Sequence, residues 1–496
     1  MDILTTIIEK RKSDIDSLGL NFGINLPEER SRRVHPFLKK KGVILEVKRA
    51  SPSKGDISPD LDSYETASSY VQAGAMAISC LTEKNFFKGS LEDLIKVCSA
   101  VDASDSSENA AAVLRKDFLL FPEEIEISYK AGADAVLLIA RILSTESLVK
   151  MASEVNRLGM SALIEIRSDE DLEKIQYLAE QLPTDNFVCG VNSRDLATFK
   201  IDLLRPSMLF QKIQKIMGSE ARLIFESGVT NVQCAASVSS MGFTGLLLGE
   251  AAAKNPELRK GLVDAFMNAS ESRNADFWRK LPLSESSLQE KTGPLVKICG
   301  LTQIEDALLA DKLGANFLGF IFADAFPRSL SRQGRLEKLL PDFSRLKAKK
   351  VAVIVDLDSP EARKAIELVE TGLLDLLQFH KIPYENVSSD LLELPHYFVT
   401  DSLEEYDRLV SKGEMRVLFD SKEITKTEAL KDFKTTYEIK WFAGGITPDN
   451  VSSVIQKYKP ELIDISSGVE IEGQIGIKDK DKMTKMLKQV QHDMGD

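Results

Sequence analysis

The sequence predicts two tandem (β/α)8 barrels, and three observations support this fold class. The chain has 496 residues, and barrels of this kind often take about 250 residues each. Short apolar runs rich in Val, Ile and Leu, typical of buried parallel strands, alternate with amphipathic helical stretches. The runs form one series of eight, which stops and is followed by a second series of eight, as two eight-stranded barrels require.

The first series consists of residues 43–47, 75–81, 113–115, 135–139, 162–166, 187–191, 222–225 and 245–248. The second consists of residues 295–299, 317–322, 351–355, 376–379, 397–400, 416–419, 440–443 and 462–465. A polar segment without a strand pattern separates the two series. We therefore predict a first barrel with an N-terminal helical extension over 1–275, a connector over 276–293, and a second barrel over 294–496. Two open doubly wound sheets are the alternative, but no run is followed by a G-x-G-x-x-G turn.

Composition restricts the class of protein. The chain carries 64 basic and 76 acidic residues, a net charge of −12, which disfavours nucleic acid and anionic membrane surfaces as partners. No apolar stretch approaches the ~18 residues of a membrane span, and the N-terminus lacks a signal peptide's apolar run. The five Cys form no CxxC pair, so we expect reduced thiols and a cytoplasmic protein. No cluster has the spacing of metal ligands, and two barrels in one chain are compatible with a monomer.

Polar residues at the ends of the predicted strands mark the candidate sites, because barrel enzymes place catalytic groups at the carboxyl ends of their strands. In the first barrel these residues are Glu46, Lys48, Lys116, Glu165, Asn192, Arg194, Glu226 and Ser227, together with Gly249-Glu250 at the end of the eighth run. Strand alternation places Glu46 and Lys48 on one face. Structural ion pairs would explain any single residue, whereas polar groups at six strand ends favour a site. We expect Lys116 to act as an acid if burial or a nearby cation lowers its pKa.

The second barrel has its own set, which is Cys299, Arg328, His380, Asp420 and Asp464. A thiolate and a carboxyl group at opposite strand ends supply a base and an acid. Glycine-containing turns follow strands seven and eight of both barrels, where such folds bind phosphate. The turn residues are Gly228 and Gly249 in the first barrel and Gly444, Gly445, Ser467 and Gly468 in the second. The alternatives are a core cysteine, a solvated arginine and ordinary turn glycines.

These segments resemble two known families. EVKRASPSKG (46–55), KDF (116–118), LIEI (163–166), GVNSRDL (190–196), ESGV (226–229) and LLLGE (246–250) are similar to indole-3-glycerol phosphate synthase. VKICGLT (296–302), PRS (327–329), LQFH (377–380), FAGGI (442–446) and DISSGVE (464–470) are similar to phosphoribosylanthranilate isomerase. The order also resembles the fused bifunctional enzyme of bacterial tryptophan biosynthesis.

The resemblance implies two consecutive reactions. The second barrel would convert N-(5-phosphoribosyl)anthranilate to 1-(2-carboxyphenylamino)-1-deoxyribulose 5-phosphate, an Amadori rearrangement, with Asp420 as the acid and Cys299 as the base. Local positive charge would favour the Cys299 thiolate. The first barrel would close the indole ring with loss of CO2 and water. In that barrel Lys116 would be the general acid, Glu165 and Glu46 would move protons in the dehydration, and Lys48 would hold the anthranilate carboxylate.

The remaining residues would bind substrate. Asn192, Arg194, Glu226 and Ser227 would orient it in the first barrel, and Arg328, His380 and Asp464 would contact it in the second. Phe87 and Phe118 would pack on the aromatic ring, although core packing also explains them. Ser51 and Ser53 join the predicted phosphate-binding set. The family needs no metal or organic cofactor, so we expect none. Phe326, Lys381 and Glu250 depart from the family pattern.

Three other functions remain open at this point. One barrel could be active while the other is a phosphosugar-binding relic. A non-catalytic phosphosugar sensor would need the phosphate turns but not Lys116, Glu165 or Cys299. A Schiff-base enzyme would use Lys116 as the nucleophile.

Overall fold

The computed structural model describes residues 3–104, 107, 110–195, 199–270, 272–281, 293–426 and 435–492. The chain divides into two compact units, Met1–Glu271 and Ser272–Asp496. Residues 282–292 of the predicted connector and Leu196 of the GVNSRDL segment lie outside the described residues.

The first unit is a closed barrel in which each parallel strand pairs with its neighbours in sequence. Its strands are β1 (Gly42–Val47), β2 (Ala77–Leu81), β3 (Ala112–Lys116), β4 (Ala135–Ile139), β5 (Ser161–Ile166), β6 (Phe187–Asn192), β7 (Leu223–Glu226) and β8 (Gly245–Leu248). Its helices are α1 (Ile3–Leu18), α2 (Ser63–Gln72), α3 (Leu91–Ser104), α4 (Glu123–Lys130), α5 (Thr145–Arg157), α6 (Asp169–Gln181), α7 (Arg205–Met217), α8 (Val232–Ser240), α9 (Glu250–Lys254) and α10 (Arg259–Asn268). A short antiparallel hairpin, Ala50–Ser51 with Gly55–Asp56, follows β1.

The second unit contains a closed barrel of the same kind. Its strands are β9 (Leu295–Cys299), β10 (Phe317–Phe322), β11 (Lys349–Ile354), β12 (Leu376–His380), β13 (His396–Thr400), β14 (Val417–Asp420), β15 (Trp441–Ala443) and β16 (Leu462–Ile465). Its helices are α11 (Arg273–Lys280), α12 (Ile304–Lys312), α13 (Arg335–Leu339), α14 (Pro360–Glu370), α15 (Ser389–Glu393), α16 (Leu403–Ser411), α17 (Val451–Tyr458) and α18 (Lys480–His492).

The predicted pair of (β/α)8 barrels is confirmed, and every predicted run overlaps an observed strand. The ends of the runs lie within two residues of the ends of the strands, and five runs coincide with their strands. The run 75–81, for example, becomes a strand only at Ala77, because Gly74 has a φ of +91° and turns the chain out of α2. An apolar run in the sequence indicates buried residues. The strand itself begins only where the backbone can form hydrogen bonds with the neighbouring strand.

Apolar side chains from alternate positions of the strands fill the interior of the first barrel. Ile44, Leu114, Leu163 and Ile224 belong to one buried apolar cluster in its interior. The cluster also contains Leu4 and Ile7 of α1, and Phe37 and Leu38 of the segment before β1. The N-terminal extension is therefore part of the core of this barrel.

Helix α1 is also attached close to Lys116 through a buried ionic network. Arg11 Nη1 donates to Asp117 Oδ1 over 2.6 Å, and Arg11 also pairs with Glu124 at the start of α4. Asp117 Oδ2 accepts from Thr82 Oγ1 over 2.6 Å. These bonds hold the loop that immediately follows the predicted general acid.

Trp278 of α11 packs into the core of the second unit. Its Nε1 donates to the carbonyl of His396 over 3.2 Å, and its ring lies 5.5 Å from that of Trp441 and 6.4 Å from that of Tyr397. The guanidinium of Arg416 stacks 4.5 Å from the Trp278 ring centroid. Helix α11 therefore belongs to the second compact unit, which begins at Ser272.

None of the helices in the described ranges combines the length and apolarity that crossing a membrane requires. All five cysteines are buried free thiols.

We predict that Trp278→Ala lowers the free energy of unfolding of the second unit by about 3–5 kcal/mol, the usual cost of emptying an aromatic core site. The two tryptophans of the chain, Trp278 and Trp441, both lie in this unit, so the remaining Trp441 fluorescence in a urea titration reports on it alone. Phe277→Ala, at a half-buried position of the same helix, is the matched control and should cost clearly less. Equal losses for the two variants would contradict a specific core role of Trp278.

Candidate active sites

The first candidate site lies at the carboxyl ends of the strands of the first barrel. Its charged residues lie two positions after the apolar residues that fill the barrel interior. Four interior residues are each followed two positions later by a charged residue, in the pairs Ile44 and Glu46, Leu114 and Lys116, Leu163 and Glu165, and Ile224 and Glu226. Residues i and i+2 of a strand share a face. All four charged side chains therefore face into the mouth of one barrel.

Glu46 links two lysines. Its Oε1 lies 2.7 Å from Lys48 Nζ and its Oε2 lies 3.3 Å from Lys116 Nζ. The expected common face of Glu46 and Lys48 is present. Although burial opposes ionisation, the two ammonium groups lower the pKa of Glu46 to about 2. Glu46 is therefore an ionised anchor for both lysines at neutral pH.

Lys116 is surrounded by carboxylates. Its Nζ also lies 3.8 Å from Glu226 Oε2. Burial lowers the pKa of Lys116, but the charges of Glu46, Glu226 and Glu165 outweigh burial and raise it above its ordinary value. This differs from our expectation of a lowered pKa, because the charges of the three carboxylates together have a larger effect on Lys116 than burial. The lysine is protonated at neutral pH.

Glu226 is a buried carboxyl group that faces the same mouth as Glu165. Burial and the charge of Glu165 raise the pKa of Glu226 well above its ordinary range. Glu226 therefore holds a proton under conditions where exposed carboxyls are ionised. Gly190 makes room for it, since a Cβ at that position would lie 2.0 Å from Glu226 Oε1.

The orienting residues predicted on β6 and β7 lie beside this cluster. Asn192 is buried, and its Oδ1 accepts from the backbone N–H of Arg194 over 3.0 Å. Arg194 Nη1 donates to the carbonyl of Phe199 over 3.5 Å. Ser227 has a left-handed φ of +71° and Gly228 one of +84°, so the chain turns sharply after β7.

The predicted phosphate residues after β1 and β8 also lie at this mouth. A Cβ at Gly249 would come within 2.6 Å of Glu46 Oε1, so this glycine makes space for the carboxylate. Ser51 Oγ and Ser53 Oγ lie 3.4 Å apart in the hairpin loop after β1. The need for glycine at position 249 is thus explained by the closeness of its backbone to the Glu46 carboxylate. The sequence pattern indicated only phosphate binding for this glycine.

Phe87 and Phe118 pack together with a ring-centroid distance of 6.0 Å, next to the apolar cluster that includes Leu4 and Ile7. Glu83 fixes the loop that carries Phe87, because its carboxylate accepts from the backbone N–H groups of residues 85, 86 and 87. Sequence reasoning missed Glu83. An acidic residue three and four positions before two consecutive aromatic residues was the available signal.

The second candidate site is built around Lys297, a fully buried residue of β9. Its Nζ lies 2.5 Å from Asp464 Oδ2 and donates to Gln378 Oε1 over 2.6 Å. Tyr397 Oη donates to the same Gln378 oxygen over 2.6 Å. Sequence reasoning named Asp464 but missed the other three. Alternation was a usable signal, because Lys297 lies two residues before Cys299 and Gln378 two before His380.

The predicted base and acid lie at the ends of β9 and β14. Burial raises the pKa of the Cys299 thiol, and the positive charge of Lys297 only partly opposes this effect. Local charge therefore does not lower the pKa below its ordinary value, as we had expected of a thiolate base. Burial also raises the pKa of Asp420, which suits a group that donates a proton near neutral pH.

His380 and Arg328 are engaged in contacts within the chain. His380 Nδ1 lies 3.2 Å from Gln378 Nε2, and burial together with Lys297 lowers the pKa of His380 to about 4. Arg328 donates from Nε and Nη2 to the two oxygens of Glu470, both over 2.7 Å. The carboxylate that Arg328 binds here is thus Glu470, which sequence reasoning missed.

The two turns of the second barrel that we predict to bind phosphate touch each other. Gly444 and Gly445 have φ values of +109° and +71°. Gly468, next to Ser467, lies so close to the turn after β15 that a Cβ would be 1.9 Å from the carbonyl oxygen of Ile446. The two glycine-containing turns therefore form one continuous backbone surface.

Within the ranges that the structure describes, no group of three or more His, Cys, Asp or Glu residues has the arrangement of a metal site.

Comparisons with known proteins match both barrels. The model of the indole-3-glycerol phosphate synthase family matches residues 8–264, and that of N-(5'phosphoribosyl)anthranilate isomerase matches residues 296–489. The tryptophan biosynthesis protein TRP1 of Phytophthora nicotianae is 29% identical, over 86% of this chain and 87% of that protein. An indole-3-glycerol phosphate synthase of Bacillus cereus is 35% identical, over 54% of this chain and 98% of that protein.

A multifunctional tryptophan biosynthesis protein of Schizosaccharomyces pombe is 30% identical over 88% of this chain. This chain spans only 58% of that longer protein. Among solved structures, a phosphoribosylanthranilate isomerase of Thermotoga maritima is 26% identical, with a TM-score of 0.34, over 40% of this chain and 99% of that chain.

The synthase model covers more than half of the chain, and the isomerase model follows it in the order that the motifs predicted. The chain therefore belongs to the indole-3-glycerol phosphate synthase family and carries, in the same polypeptide, a second barrel of the phosphoribosylanthranilate isomerase family.

Proposed function

We propose that the chain catalyses two consecutive steps of tryptophan biosynthesis, one in each barrel, with the residue roles given below. The observation that carries the proposal is that each barrel has its own set of acid and base groups at the carboxyl ends of its strands. A relic barrel would have no need to keep both a buried lysine–carboxylate cluster and a phosphate turn.

In the C-terminal barrel, Asp420 gives a proton to the ring oxygen of N-(5-phosphoribosyl)anthranilate as the bond from that oxygen to C1 breaks. Cys299 takes the proton from C2, and the resulting enol becomes the ketone of 1-(2-carboxyphenylamino)-1-deoxyribulose 5-phosphate. The raised pKa of Asp420 keeps a larger share of it protonated near neutral pH. The glycine-containing turns after β15 and β16 hold the phosphate, while Arg328, His380 and Asp464 contact the rest of the substrate.

In the N-terminal barrel, the aromatic carbon that carries the carboxylate attacks the ketone carbon, and Lys116 protonates the ketone oxygen as its π bond to that carbon breaks. Loss of CO2 restores the aromatic ring, and loss of water gives indole-3-glycerol phosphate. Lys48 holds the anthranilate carboxylate. Glu46, which is ionised and bound to both lysines, places them, whereas Glu165 with its protonated neighbour Glu226 moves the protons of the dehydration.

The other predicted residues of this barrel bind the substrate. Asn192, Arg194 and Ser227 orient it, and Phe87 and Phe118 contact its aromatic ring. Ser51, Ser53, Gly228 and Gly249 contribute to phosphate binding. We further propose that the enzyme acts in the cytoplasm, where its five free thiols stay reduced, on small phosphorylated anthranilates and as a monomer that binds no nucleic acid.

The test is to supply the purified chain with phosphoribosylanthranilate, without added metal or cofactor, and to identify the products. Indole-3-glycerol phosphate is the expected product. Accumulation of the ketose would show that only the isomerase barrel works. Unchanged substrate, with the ketose also left unchanged when it is added directly, would overturn the proposal for both barrels.

We predict that Lys116→Met lowers the rate of ring closure by about 10²–10⁴-fold, the usual contribution of a general acid, and leaves the isomerase rate unchanged. The ketose should therefore accumulate from phosphoribosylanthranilate. Lys260→Met removes an exposed lysine of the same barrel and should have no effect. Retention of ring closure in the Lys116 variant would exclude it as the acid, and a borohydride-trapped adduct in the wild type would indicate Schiff-base chemistry instead.

Cys299→Ser should abolish measurable isomerase activity, because a hydroxyl at this position is a far weaker base than a thiolate. The same variant should close the ring normally when the ketose is supplied, since its first barrel is intact. Cys234→Ser, at a buried cysteine of α8, is the matched control and should keep isomerase activity. Loss of both activities in the Cys299 variant would indicate misfolding rather than loss of a base.

The pH dependence of kcat/KM for the isomerase should be bell-shaped, with limbs set by Asp420 and Cys299, whose pKa values are both raised. The active form needs a protonated Asp420 and an ionised Cys299. On the acid side the rate falls with decreasing pH because thiolate is lost, and on the alkaline side it falls because protonated Asp420 is lost. In Asp420→Asn the residual rate should instead rise with pH up to the pKa of Cys299. A retained alkaline fall in that variant would contradict the assignment.

A further inference from the structure

Lys478 is a buried lysine at the mouth of the second barrel to which neither the sequence motifs nor the proposed mechanism assigns a role. It precedes α18, and its backbone N–H donates to Asp306 Oδ2 over 2.9 Å. Its Nζ donates to the carbonyl oxygens of Cys299 and Ser466 over 2.7 and 3.0 Å and to Glu470 Oε1 over 3.2 Å. An ammonium group has three donors, so all of them are used.

The two carbonyls mark the point where the sheet ladder between β9 and β16 stops. The last paired residues of these strands are Ile298 and Ile465. Cys299 and Ser466 come next in the same parallel register, and the ammonium group of Lys478 joins them where backbone pairing no longer does. Cys299 carries the proposed base, and Ser466 leads into the phosphate turn of Ser467 and Gly468.

The same lysine contributes positive charge to this corner of the site. Glu470 pairs with both Lys478 and Arg328. Arg328 donates to both carboxylate oxygens of Glu470. Two cations and one anion leave one net positive charge beside the Cys299 thiol and the phosphate turn. Lys297 is balanced by Asp464, so that pair does not supply such an excess.

We propose that Lys478 is a positioning residue of the isomerase site, which holds the Cys299 strand end against the phosphate turn and provides the positive charge that favours the thiolate. The inference rests on the proposed role of Cys299 as the base. The ionisable groups that face Cys299 are Lys297 on its own strand, Asp464 on β16, Tyr397 on β13, Arg328 in the loop after β10, and Lys478.

The first test compares Lys478→Met with the wild-type chain. Alkylation of Cys299 by iodoacetamide, followed by peptide mass spectrometry over a range of pH, measures thiolate formation independently of catalysis. We expect the alkylation midpoint to move up by about one pH unit or more, and the isomerase kcat to fall about tenfold or more. The KM for phosphoribosylanthranilate should also rise, because the phosphate turn loses its attachment. Lys478→Arg should recover part of each loss, since its guanidinium keeps the charge and can donate to the carbonyls.

The controls are in the same chain. Ring closure of supplied ketose by the first barrel measures intact protein, and tryptophan fluorescence reports whether the second unit is folded. Lys488→Met removes an exposed lysine of α18 and should leave both activities and the alkylation midpoint unchanged. A folded Lys478→Met with the wild-type midpoint and kcat would overturn the proposal. Failure of the wild-type chain to isomerise its substrate would count against the proposed function, whereas the alkylation midpoints would still decide the role of Lys478.

A second variant changes the charge in the opposite direction. Glu470→Gln keeps the shape of the side chain but removes the anion shared by Lys478 and Arg328, so the net positive charge beside Cys299 increases. We expect the alkylation midpoint of Cys299 to move down. A purely structural role of the cluster predicts no shift or an upward shift, and either result would overturn the charge argument even if Lys478→Met failed to fold.

Discussion

A lysine paired with a carboxylate lies in each barrel, half-buried Lys116 in the first and fully buried Lys297 in the second, and the arrangement of both sites depends on it. An ammonium group inside an apolar barrel is stable only if anions and hydrogen-bond acceptors replace the water that it has lost. Glu46 meets this requirement for Lys116, and Asp464 with Gln378 meets it for Lys297. The barrel brings these partners together, because every strand presents alternate residues to one shared interior.

The groups around the two lysines differ in the direction of their pKa shifts. In the first barrel three carboxyl groups surround one lysine, so Glu46 is ionised while Glu226 retains a proton. One site therefore contains both a permanent anion and a proton donor. In the second barrel burial outweighs the nearby cations, and the pKa values of both Cys299 and Asp420 rise. The isomerase then works from a minor ionisation state, which is why local charge beside Cys299 matters to its rate.

Residues outside the eight strands complete each barrel. In the first unit, Phe37 and Leu38 join the interior cluster, and Arg11 of α1 binds the loop that follows Lys116. In the second unit, Trp278 of α11 packs against residues of several strands. The segments that the sequence predicted as an N-terminal extension and a connector thus contribute to the cores of the two units. We expect their removal to disturb the strands that carry the candidate site residues.

Apolar periodicity and motif order are local properties of the chain, and they were enough to predict the number and order of the strands, the pair of barrels, and the residues at the strand ends. The sequence also placed Glu46 and Lys48 on one face, since alternation needs no knowledge of other strands. Which charged groups contact one another could not be predicted in this way, because it depends on how distant strands are arranged around the barrel. The direction of the pKa shift of Lys116 depends on Glu46, Glu226 and Glu165, which belong to three other strands far away in sequence. The contacts of Arg328 and Lys478 with Glu470 likewise join a loop, a turn and the start of a helix, and no local pattern encodes the distances between them.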